Sequence, residues 1–222
     1  MLLQSLLIAT ALSVAAFASP APTSKLFSRA STPNVRGVDN GFFYVWWTDG
    51  GGNATYVNGP SGSYSVEWAN SQGDFYGGKG WSPASSTRIA NYEGTYEPTG
   101  TSYLGLYGFN KSPYGDYHVL ESYGPFNPAE YYPIKGKITC DGSTYDVIDA
   151  IRIPPGLDPI THSIFSVRNP KLPNGQVSGS IDLACHLKGW ASVGLNVEIS
   201  PDYQIIATEG YFSSGYSNIT VS

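Results

Sequence analysis

Charge is scarce in this chain. Only 13% of its 222 residues are Asp, Glu, Lys or Arg, the net charge is −5 and no basic cluster occurs. That balance excludes a nucleic-acid partner, which is held chiefly through its phosphates. A neutral polymer suits such a surface. Histidine is scarcer still, at three residues. His162 and His186 stand without companion ligands, so no metal site and no cofactor are expected. Long apolar runs are missing with one exception, Leu2 to Ala18, which ends in Ala-Phe-Ala before Ser19-Pro20. This run is too short and wrongly flanked for a membrane anchor and reads as a secretory signal over residues 1–18. The chain is therefore expected outside the cell. No internal repeat is found, and no regular alternation of strand with helix, which sets aside a dinucleotide-type fold.

Glycine (26) and tyrosine (17) are abundant instead. From Phe42 to Phe126, short segments rich in Tyr, Val, Trp and Thr alternate with clusters of Gly, Asn, Ser and Pro, the pattern of many short antiparallel strands. One stretch departs from it. Ser180 to Gly194 places Ala184, Leu187 and Ala191 at helical spacing, with Asp182 near the start and Gly194 just past the end, and predicts a short amphipathic helix. Two twisted antiparallel sheets forming a cleft, with one short helix packed below, make an all-β jelly roll. The length suits one domain over residues 32–222, preceded by a Pro-, Ser- and Ala-rich stretch over residues 19–31 that reads as a pro-segment or a disordered lead. In a secreted chain, the two cysteines, Cys140 and Cys185, suggest one disulfide. Asn53, Asn110 and Asn218 open N-glycosylation sequons, although Pro113 closely follows the second.

The run from Tyr203 to Gly215 carries the most chemistry. In a strand, Tyr203, Ile205, Ala207, Glu209 and Tyr211 share one face, and Gln204, Ile206 and Thr208 the other. A carboxylate flanked by tyrosines is suited to sugar chemistry as a proton donor. An exposed Glu at a strand end beside a Gly turn is the other reading of this segment alone.

The segment Glu209-Gly-Tyr-Phe-Ser-Ser-Gly215 resembles the second catalytic motif of the family 11 glycoside hydrolases, the small endo-1,4-β-xylanases. Trp47-Thr-Asp-Gly-Gly-Gly52, Tyr64-Ser-Val-Glu-Trp68, Gly77-Gly-Lys-Gly-Trp81, Asp141-Gly-Ser-Thr-Tyr-Asp146 and Ser166-Val-Arg168 follow the family's order and spacing over nearly the whole chain after residue 40. The resemblance implies the same jelly roll and an enzyme that cleaves internal bonds of xylan or xylo-oligosaccharides, acting as a monomer. It also implies that Cys140 and Cys185 tie a strand to the helix.

For the site, the resemblance implies Glu209 as acid/base and Asp116 at the nucleophile position, where the family carries Glu. Asp74 matches a position beside the acid/base where Asp accompanies acidic working ranges. Its ordinary alternative is a turn residue capping its own backbone. Trp47 matches a sugar platform, and Tyr107, Arg152 and Tyr203 match cleft positions that bond the sugar or the carboxylates. Phe109 replaces a cleft Trp, Phe43 a Tyr, Val45 a Gln and Ser163 a Gln. His118, two residues beyond Asp116 where the family has Tyr, either bonds Asp116 or lines the cleft as a ring. Trp68, Trp81 and Trp190 read as structural.

Two departures bear on activity. Asp is one methylene shorter than Glu, which withdraws the attacking oxygen by roughly 1 Å, a displacement that can cost on the order of 100-fold in rate. Between Arg152 and Arg168 the segment matching the family's thumb is short and Pro-rich. The sequence therefore leaves a retaining xylanase of weak activity, an inverting use of Asp116 through water, and a catalytically impaired xylan-binding protein or decoy for plant xylanase inhibitors or receptors. A glucanase on the same fold is a further alternative.

Overall fold

The computed structural model describes residues 31–51, 53–152 and 161–222. The signal segment, nearly all of the pro-segment and the centre of the thumb lie outside the described residues. Among the described residues the strands in chain order are β1 (Val35–Asp39), β2 (Phe42–Thr48), β3 (Ala54–Asn58), β4 (Ser63–Trp68), β5 (Asp74–Trp81), β6 (Ile89–Ser112), β7 (Gly115–Tyr123), β8 (Ile134–Cys140), β9 (Ser143–Arg152), β10 (Thr161–Arg168), β11 (Gly175–Asp182) and β12 (Glu198–Val221), with one α-helix, α1 (Leu183–Ser192), before the last and a single 3-10 turn at Pro128–Glu130.

Two 24-residue strands organise everything else. β6 and β12 pair along nearly their whole lengths and change outer partners midway. β12 pairs β5 over Gln204–Tyr211 and β4 over Gly215–Thr220. β6 pairs β7 over Tyr103–Asn110 and β11 over Ile89–Tyr96. The register slips between Tyr211 and Ser213, where the unpaired Phe212 has φ 45° and Gly100, the partner of Ser213 within β6, has φ 91°. A slip of this kind bends a strand. One hydrogen-bonded ladder is thereby folded into the two layers expected of a jelly roll. It departs from an all-antiparallel arrangement at one place, where β10 runs parallel to β7.

Alternation sorts the side chains between core and cleft. In β2, Trp46 is buried between the layers while Trp47 is 37% exposed on the opposite face. In β12, Ile206 joins the central core with Trp46, Tyr64, Tyr96 and Trp190, whereas Tyr203, Ile205 and Ala207 pack with Val45 on the cleft side. Each large core side chain of this kind contributes about 1.5–3 kcal/mol. Lys79, wholly buried, shows why a lysine sits inside the Gly-rich β5. Its ammonium donates to Asp39 Oδ2 at 2.7 Å and to the carbonyls of Gly59 and Ser61 at 3.0 and 2.9 Å, one acceptor for each proton.

The helix starts at Asp182, whose carboxylate accepts from Ala184 N at 3.0 Å, and ends before Gly194, φ 87°. Its buried face is Leu183, His186 and Trp190 and not the expected Ala184, Leu187 and Ala191, which lie one residue further round. Both sets have helical spacing, and the larger Leu and Trp settle the rotation. His186 can be buried because Ser166 Oγ and Asp141 Oδ2, each 2.9 Å away, meet its two ring nitrogens. Cys185 on the helix is bonded to Cys140 at the end of β8, with Cα atoms 5.9 Å apart.

Candidate active site

Glu209 lies on β12 opposite Tyr76 of β5 on one side and Tyr103 of β6 on the other. Asp116 lies on β7 opposite Phe109 of β6 and in parallel register with Ser163 of β10. The two carboxylates thus reach the cleft from strands flanking β6. They line a single pocket of about 180 Å³ with Trp47, Asp74, Tyr76, Tyr107 and His118. Gly115 prepares the position of Asp116, because it has φ 153° and a Cβ there would meet the His162 carbonyl oxygen at 1.8 Å. Only glycine lets β7 approach β10 so closely next to the carboxylate.

The phenols report the charge of the site. Burial pushes the Tyr76 and Tyr107 hydroxyls above their ordinary range, and the negative charges of both Asp116 and Glu209 push the same way. Tyr203 is raised by burial and by its neighbour Tyr76, whose Oη lies 3.0 Å from its own. These tyrosines therefore serve as neutral hydrogen-bonding groups around two carboxylates. Trp47 stacks on Tyr76, ring centroids 5.7 Å apart, and offers an exposed indole to the cleft. Phe109 meets Tyr203 edge to face at 5.1 Å and extends the same wall.

His118 is held as an edge. Its ring lies face to face with Phe165 at 4.2 Å, is bordered by Tyr107 at 4.9 Å, and is only 5% exposed. A sugar ring therefore has no face of His118 to stack on. Its Nε2 lies 3.6 Å from Asp116 Oδ1, a separation that can tighten when substrate fills the site. Ser163, fully buried beside Asp116, has an Oγ with no hydrogen-bond partner.

Asp74 is placed at the pocket beside Glu209's strand, opposite Tyr211. Its backbone is tied to Asp49, whose carboxylate is lowered by hydrogen bonds from the Asp74 and Gly51 amides. Arg152 ends β9 opposite Thr161, and its side chain lies outside what is described. Tyr76 was not singled out from the sequence. The two-residue step from Asp74 to Tyr76 puts both on one face and was the signal available. Phe165, which fixes the His118 ring, follows in the same way from Ser163.

Trp68 and Trp190 are buried away from the cleft, and Trp81 lies under the Arg88 guanidinium at 4.5 Å. Asn53 and Asn218 are exposed. Asn110 is not, and its amide donates to the Pro113 carbonyl, so the folded protein offers no acceptor nitrogen at that sequon. Among the described residues no three His, Cys, Asp or Glu side chains are grouped as a metal site would require.

A family model described as glycosyl hydrolases family 11 matches residues 39–220. Endo-1,4-beta-xylanase A of Schizophyllum commune is 44% identical over 87% of this chain and 100% of its own. Endo-1,4-beta-xylanase I of Cochliobolus carbonum is 42% identical over 98% of this chain and 97% of its own. A protein named ethylene-inducing xylanase, from Penicillium digitatum, is 43% identical over 98% of each chain.

Proposed function

This chain belongs to family 11 of the glycosyl hydrolases, and on that premise we propose that it is a secreted, monomeric endo-1,4-β-xylanase working through Asp116 and Glu209. The observation that carries the proposal is the convergence of the two carboxylates in one pocket walled by Trp47, Tyr76 and Tyr107. Glu209 protonates the departing glycosidic oxygen while Asp116 attacks the anomeric carbon from the opposite face. Water, activated by Glu209 as base, then releases the sugar from the Asp116 ester with net retention. Buried tyrosine hydroxyls and the His118 edge stabilise the charges as they shift. The short Asp116 side chain makes turnover slow, and Asp74 sets an acidic working range by sharing a proton with Glu209.

A second reading rests on Asp116 as well. With a withdrawn nucleophile the cleft binds xylan without cutting it, and the protein acts as a decoy toward plant xylanase inhibitors or receptors. Reducing-sugar release from xylan by the purified protein, beside its Glu209→Gln variant, separates the two. Release that disappears in the variant supports the enzyme. Background release from both, with xylan still bound, supports the decoy.

A further inference from the structure

Beyond the catalytic pocket the cleft continues past Trp47 and Tyr76 into a second pocket of about 330 Å³, within the size range of small-ligand sites. Arg36 lines it, together with Asn34, Val45 and Tyr203. Arg36 pairs with Val45 across β1 and β2, and residues directly opposite in a ladder share a face, so the guanidinium emerges on the cleft side.

The other polar groups of this pocket are already engaged. The Asn34 side-chain amide donates to Thr48 O at 3.0 Å and its oxygen accepts from Thr48 N at 2.8 Å. The phenols of Tyr76 and Tyr203 bond each other. Val35 and Val45 add only apolar surface, as do Phe43 beside Tyr203 and Phe109 across from it. Among the described residues no carboxylate lies within ion-pair distance of the exposed Arg36. Its charge is nevertheless felt by the Tyr203 phenol, which it lowers against the larger effect of burial, and Asp202 acts there in the opposite sense.

We propose that Arg36 recognises a carboxylate carried by the substrate, namely a uronic-acid side group on xylan, as the chain leaves the catalytic pocket past Trp47. A neutral xylose unit supplies hydroxyls and C–H faces, for which Trp47 and the tyrosines suffice. A guanidinium offers a fixed fork that matches a carboxylate and little else in a polysaccharide. The inference rests on the xylan reading of the cleft and adds to it a preference among xylans.

The test is affinity electrophoresis or calorimetry with the full chain in a Glu209→Gln background, which leaves the polymer uncut. The probes are glucuronoxylan, unsubstituted linear xylan and polygalacturonate, with Arg36→Gln and Arg36→Lys compared with the parent. Glucuronoxylan should bind about fivefold tighter than linear xylan, the size expected of an exposed charge pair. The ratio should fall toward one in Arg36→Gln, survive in part in Arg36→Lys, and shrink at 1 M salt, where the Debye length is about 3 Å. Matching circular dichroism of the variants guards against misfolding. Equal binding of both xylans by the parent, or a preference that survives Arg36→Gln, overturns the role of Arg36. Arg36-dependent binding of polygalacturonate as tight as that of glucuronoxylan overturns the assignment to a side group. Binding of neither xylan sinks the xylan reading itself, a separate failure.

Discussion

Replacing Asp116 with Glu should make this protein a faster xylanase. The shorter side chain withdraws the attacking oxygen by roughly 1 Å, and a near-attack geometry tolerates little displacement, so up to about 100-fold in rate is at stake, equivalent to about 2.7 kcal/mol of barrier. The side chain at this position faces the pocket lined by Tyr76, Tyr107 and His118, into which a longer carboxylate would reach. Asp116 is bordered by Ser163, small and fully buried, on β10 and by Phe109 on β6, and its backbone is set by Gly115. Ser163 has a hydroxyl without a hydrogen-bond partner, available to donate to the longer carboxylate. The assay compares parent, Asp116→Glu and Asp116→Ala for xylan hydrolysis, with the anomer of the first product followed by NMR. The expected order is Glu above Asp above Ala, with retention of configuration. Equal background rates in all three would refute the reasoning, since reach would not be what limits the site. A parent that releases the inverted anomer would show that Asp116 positions water, as carboxyls about 6.5–9.5 Å apart do.

Under the proposed function, Asp74→Asn should move the optimum of the pH–rate profile upward, because a carboxyl at position 74 must itself be protonated to support Glu209, which happens only at acidic pH, whereas an Asn amide needs no proton. An unmoved profile removes Asp74 from the mechanism. Glu121→Gln should destabilise the fold by roughly 3 kcal/mol, because the wholly buried Glu121 accepts from Tyr92, Tyr145 and Arg168 at 2.8, 2.5 and 2.8 Å and its loss strands the arginine. At about 2–4 °C per kcal/mol for a chain of this size, thermal unfolding should fall by roughly 6–12 °C. A fall under about 2 °C would mean that the network contributes little. Intact mass with and without alkylation should show the Cys140–Cys185 bond closed. Opening it should cost on the order of 4 kcal/mol in denaturant unfolding for a sequence separation of 45, a chain-entropy figure that an unchanged midpoint would contradict.

Much of the architecture follows from local chemistry that any reader of the chain can apply. Period-two alternation identifies the cleft face of β12 from Tyr203 to Glu209, and Asp182 and Gly194 bound the helix, while the tie between strand and helix through Cys140 and Cys185 comes from the family resemblance. The motifs from Trp47 to Glu209 identify the family because each keeps a turn or face that the fold requires. Alternation, however, names a face and not its neighbours. It could not tell that β6 and β12 would each serve both layers, that β10 would run parallel to β7, or which of two equally spaced helix faces Leu183 and Trp190 would turn inward. The same limit applies at the site. Asp116 and Glu209 are 93 residues apart in the chain, and their meeting, the face-to-face seat of His118 on Phe165, and the emergence of Arg36 beyond Trp47 are consequences of register between strands distant in sequence. Side-chain chemistry and spacing along one strand are written locally. Proximity across strands is created only when the ladder closes, and the catalytic and binding geometry belongs to that step.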